Sequence, residues 1–186
     1  MSDPASRAVS DHGSDDVVLP FVVEPLESRG RIVRLGASVD RILAQHGYPA
    51  PVARLVGEAA ALAILLGSSL KFQGRFQVQT RSDGVVDMIV IDFDAPDRVR
   101  GFARFDAERL KEALAVNEAA PAQLLGRGHL GLTIDQGPEF QRYQGVVPLD
   151  GQGLEQAAHQ YFLQSEQIPT VVRLAVGETV TGEGSR

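Results

Sequence analysis

"PVARLVGEAAALAILLGSSL", residues 51–70, decides the fold. Its middle, AAALAILL at 59–66, is eight apolar residues with no polar face, and a helix apolar all round must be covered on every side. The uncharged run between Glu58 and Lys71 is 12 residues, too short to cross the hydrocarbon core of a bilayer. Pro51 suits a first helical turn. Ala59, Ala60, Ala61, Ala63, Gly67 and Ser68 are small enough to let neighbouring sheets approach closely. The expected architecture is therefore α+β, with β layers packed around a buried central helix at about 51–70 and further amphipathic helices around it.

Working outward, the hydrophobic period switches repeatedly. "VVLPFVVE" (17–24) and "GRIVRLG" (30–36) read as strands. "SVDRILAQHG" (38–47) reads as a helix, with Ser38 as N-cap, Val39, Ile42 and Leu43 at helical spacing, and a stop at Gly47. After the central helix, "RFQVQT" alternates, "SDG" turns, and "VVDMIVIDF" returns as a partner strand. "VRGFARF" (99–105) adds a strand, followed by a short helix at 106–115. "HLGLTI" (129–134) and "RYQGVVPL" (142–149) form another hairpin. A helix at about 153–165, with Leu154, Ala157, Ala158 and Tyr161 on one face, leads to a last strand, "TVVRLAV" (170–176).

At 186 residues, 44% apolar and 23% charged, the chain has the size and composition of one globular domain. Eighteen basic residues against 24 acidic ones give a net charge of −6 without a basic block, which argues against nucleic acid or a membrane as partner. There is no cysteine, so neither a disulfide nor a thiolate metal site can form. Residues 1–16 read as a polar, disordered lead-in without the apolar core of a signal peptide, which points to the cytoplasm. Residues 17–178 form the folded body and 179–186 a polar tail.

Catalytic chemistry is sparse. "GRGHLG" (126–131) matches a dinucleotide fingerprint in letters, but a strand-like run follows it where the fold would need a helix. "DFDAPD" offers Asp92, Asp94 and Asp97, with Pro96 where a calcium loop wants an oxygen ligand. The four histidines are scattered. The alternative is a small enzyme or ligand-binding domain using Asp92, Asp94 or His129 in a cleft, and the expectation is no enzyme. More telling is "VVDMIVIDF", hydrophobic in both parities. Ile89, Ile91 and Phe93 are the bulky core formers. Met88 and Val90 are left to face a partner, and methionine suits promiscuous contacts.

The segment "RYQGVVPLDGQGLEQAAHQYFLQSEQIPT" (142–170) resembles the signature region of the heat shock protein 33 family, the redox-regulated 33 kDa chaperonins. "LKFQGRFQVQTRSDG" (70–84) and "VRLGASVDRILAQHGYPAPVARLVGEAAALAILL" resemble the same family. The resemblance covers about 17–178. It implies an ATP-independent holdase that binds unfolding client proteins under oxidative and heat stress, and on that reading the parity of "VVDMIVIDF" makes Met88 and Val90 the client-binding candidates. It also implies a C-terminal switch of four zinc-bound cysteines preceded by a linker. This chain has no cysteine, so no cofactor is expected in it, and it reads as a core domain leading toward a linker and zinc domain. A homodimer built through an uncovered sheet face is compatible with the same reading.

Overall fold

Two periodicities build the molecule, one wrapped around the other. In chain order the elements are β1 (Val17–Val23), β2 (Ser28–Arg34), α1 (Ala37–His46), α2 (Ala50–Gly67), β3 (Arg75–Ser82) and β4 (Val86–Asp94). There follow β5 (Arg98–Phe105), α3 (Ala107–Ala115), α4 (Pro121–Leu125), β6 (Arg127–Asp135), β7 (Tyr143–Asp150) and α5 (Leu154–Tyr161). The structure, a computed structural model, describes residues 15–69, 74–137 and 140–178, with the backbone of 180–181 and 184–185. The rest of the lead-in and the polar tail lie outside the described residues.

β5-β4-β3-β6-β7 form one antiparallel sheet, and β1-β2 form a separate hairpin. Alternation in β3 sends Phe76, Val78 and Thr80 inward, where β4 adds Ile89, Ile91 and Phe93 and β6 adds Leu130 and Leu132. Thr80 is buried without penalty because its Oγ1 accepts the Ile89 N–H at 2.9 Å.

α2 lies against this inner face, touching β3, β4 and β5, while β2, α1, α4 and α5 also contact it. The uncharged run is too short for a bilayer, but the whole 18-residue helix, Arg54 and Glu58 included, is long and apolar enough for a span. Yet Val52, Leu55, Val56, Leu62 and Ala63 are wholly buried in the fold. The first turn of α2 meets solvent at Ala50 and Arg54, and beyond it Glu58, Ala61, Leu65 and the C-cap Ser68 make a narrow, half-buried seam at spacings of three and four. Gly67 acts as read from the sequence, since a Cβ there would collide with the Phe93 ring of β4; at Gly57 the close neighbour is Val176, outside the sheet.

Two local expectations are corrected. Ser38 does not cap α1, which begins one residue earlier. The cap comes from Asp16, whose carboxylate accepts from the Gly36 N–H at 2.9 Å, the Ser38 N–H at 3.0 Å and the Ser38 hydroxyl at 2.6 Å. Residues 170–176 form no strand. Val172 is buried and Leu174 and Val176 are half-buried, so the alternation is real, but it packs on helices rather than in a ladder. Side chains of α5 satisfy the backbone: His159 Nε2 accepts the Val172 N–H at 2.7 Å, and Glu155 accepts the Leu174 N–H. His159 is thus half-buried and bonded.

Candidate functional site

The sheet has a second face, turned away from α2. Antiparallel register aligns its residues in transverse rows. One row reads Phe102, Val90, Gln79, Gly131, Val146 across β5 to β7. The next reads Arg104, Met88, Arg81, His129, Pro148. Phe102 is 42% and Val146 54% exposed, with Met88 and Val90 half-buried between the flanking strands. Phe102 is steadied by an edge contact with the His46 ring, 5.6 Å away.

Charge on this face is organised in pairs. Arg75 meets Asp94 at 2.8 Å, Arg100 meets Asp92 at 3.3 Å, Arg104 meets Asp87 at 2.8 Å and Arg142 meets Asp135 at 2.8 Å. Gln77 adds a hydrogen bond to Asp92 at 2.8 Å. The bond from Arg75 holds the Asp94 carboxyl below the usual carboxylate range, and Arg104 does the same for Asp87. Such exposed pairs add little stability each, but they offset the charges of the residues they join, and Arg81 in the Met88 row is outside them.

The residues singled out from the sequence fall as follows. Met88 and Val90 lie on this face, opposite buried Ile89, Ile91 and Phe93. Asp92 and Asp94 lie at one end of β4, committed to arginines. His129 sits two strands away and four rungs along from Asp92, some 16 Å by strand geometry, so the three form no cleft. Among the described residues, no group of three or more His, Asp or Glu is placed to hold a metal ion. The "GRGHLG" run enters β6 from the short α4, not a helix from a strand. Phe102, Val146, Gln79 and Arg81 escaped the sequence reading. The alternation of Arg100, Phe102 and Arg104 against Gly101, Ala103 and Phe105 was the signal for the first of them.

The chain has been compared with known proteins. The family model described as "Hsp33 protein" matches residues 16–185. This chain belongs to the Hsp33 family. It is 53% identical over 175 residues to a 33 kDa chaperonin of Caulobacter vibrioides, covering 92% of this chain and 57% of that protein. It is 39% identical to the 33 kDa chaperonin of Shewanella loihica, covering 91% of this chain and 57% of that one. The solved 33 kDa chaperonin of Thermotoga maritima shares the fold, with a TM-score of 0.73 at 20% identity over 92% of this chain and 58% of that one. The chain thus spans a little over half the length of these Hsp33 relatives. The zinc-bound cysteines that the resemblance implies have no counterpart in it, since it contains no cysteine.

Proposed function

We propose that this chain is the client-binding core of an ATP-independent holdase that works in the cytoplasm under heat and oxidative stress, and that it is not an enzyme. The observation that carries this reading is the outer sheet face, broad and shallow, with Phe102, Val90, Met88 and Val146 in its middle rows and paired charges around them. Holding an unfolded chain needs no nucleophile. Burying some 400 Å² of apolar surface supplies on the order of 10 kcal/mol gross at ~25 cal/mol per Å², most of it offset by ordering. The net charge of −6 favours a soluble complex.

The test is light scattering of a heat-unfolding client with and without the chain. Suppression is expected without ATP, and unchanged by peroxide, dithiothreitol or zinc, since no thiol is present to respond. Unchanged aggregation at a molar excess would overturn the reading.

A homodimer is favoured by a separate observation. The β1-β2 hairpin exposes Leu19, Val22 and Ile32, with Leu26 at its turn, and among the described residues it joins no other sheet. A Leu19→Ser/Ile32→Ser variant that sediments as the wild type does would remove this second reading.

A further inference from the structure

We propose that the depression around Gly131 selects extended segments with the pattern apolar-x-acidic, a specificity that rests on the polypeptide-binding reading above. The depression, about 460 Å³, is lined by Gln79, Arg81, His129, Gly131, Gln144 and Val146. Its floor is the bare backbone of Gly131. A Cβ there would meet only ordinary contacts, the nearest Gln144 Nε2 at 3.7 Å, so packing does not demand the glycine. The missing side chain leaves a seat for an apolar group against Val146, between the amides of Gln79 and Gln144.

The neighbouring row supplies the second half of the pattern. Arg81 and His129 stand directly opposite each other on β3 and β6. Asp87, Asp92, Asp94 and Asp135 are each paired within 4.0 Å to an arginine other than Arg81. Asp150 stands farther off, opposite Arg127 at the end of β7. Arg81 is drawn to Asp87 only at longer range, and among the described residues neither its side chain nor that of His129 makes an ion pair or hydrogen bond. An arginine beside a histidine, neither side chain in contact with a carboxylate, is a place for one from outside.

Spacing joins the two halves. The Gly131 row and the His129 row are two residues apart along the strands, about 6.8 Å. In an extended peptide, side chains i and i+2 lie on one face at the same separation. A segment laid along the strands can therefore seat an apolar residue over Gly131 and reach Arg81 and His129 with an Asp or Glu two positions on.

The experiment is fluorescence anisotropy of labelled extended peptides that share one apolar residue and differ two positions on, as Val-x-Asp, Val-x-Asn or Val-x-Lys. The wild-type chain should bind the Asp peptide ~10-fold more tightly than the Lys peptide. Arg81→Glu should reverse that order, and His129→Gln should narrow it. Arg81→Gln serves if the reversal fails to give a wild-type melting curve, and should abolish the preference. Equal affinities, or an order indifferent to residue 81, would overturn the proposal. Peptides that fail to bind while client aggregation is still suppressed would overturn it and leave the holdase reading standing. Failure of both would remove the two together. Self-association that displaces the peptides and is lost in Arg81→Glu would assign the face to a second copy of the chain, against the proposal.

Discussion

The ring of Tyr161, at the end of α5, rests on the backbone of Gly145 in β7, where any Cβ would overlap it. Tyr161 is 6% exposed and donates its hydroxyl to Glu166 at 2.8 Å; burial first, and then Glu166, push its ionisation upward. Two halves of one sequence signature, "RYQGVV" and "YFLQSEQ", are thereby a single packing unit. Gly145→Ala should cost about 1–3 kcal/mol, because the buried ring, tied by its hydroxyl to Glu166, must shift to admit the methyl. A urea midpoint equal to that of the wild type would show the contact to be slack.

Ala63 has no exposed surface and faces the core from α2. Ala63→Glu would bury a carboxylate with no partner, at a cost of several kcal/mol. The expected result is loss of cooperative folding by circular dichroism, and a soluble, cooperatively melting variant would contradict the placement of the helix.

Glu58, on the half-buried seam of α2, is held above its ordinary value by burial and by the nearby Glu155 carboxylate. The folded chain keeps this proton at pH values where the unfolded chain has released it, so ionised Glu58 destabilises the fold above its folded-state value. That cost fades as pH falls into the ordinary glutamate range. Glu58→Gln should therefore raise the melting temperature at neutral pH and lose the advantage near about pH 4. A variant no more stable at neutral pH would count against this.

Met88 and Val90 stand on the outer face without core partners of their own. Replacing both by serine should change stability by no more than about 1 kcal/mol while weakening suppression of client aggregation. Unfolding of the double variant would return both residues to the core. Retained stability with full suppression would move the client surface elsewhere on the molecule.

What the sequence disclosed and what it hid divide along physical lines. α2 was legible because its apolar run is longer than one face can use, and the parity of β4 because Ile89, Ile91 and Phe93 outweigh Met88 and Val90 in bulk. The Asp16 cap was not, because it is made 22 residues from Ser38 and no local spacing reveals it. Residues 170–176 misled for the opposite reason: period-2 burial is common to a sheet strand and to an extended segment on helices, and only the hydrogen-bond partners tell them apart. On the outer face, the placement of Met88 and Val90 opposite the core was legible. Gln79, Arg81 and His129 gain meaning only once register sets β3 beside β6, a relation between residues some 50 positions apart.

The segment 170–178 is tied to α5 by side-chain acceptors and apolar plugs, outside every ladder of the sheet. Peeling it off breaks those bonds and uncovers Val172, yet it leaves each strand pairing intact. The molecule therefore carries a seam in its cooperativity: this portion of chain can lift away in a sub-global opening while the sheet keeps its register. Amide exchange at Val172 and Leu174 should run ahead of exchange in β3, by a margin that measures how much less the seam resists than the whole.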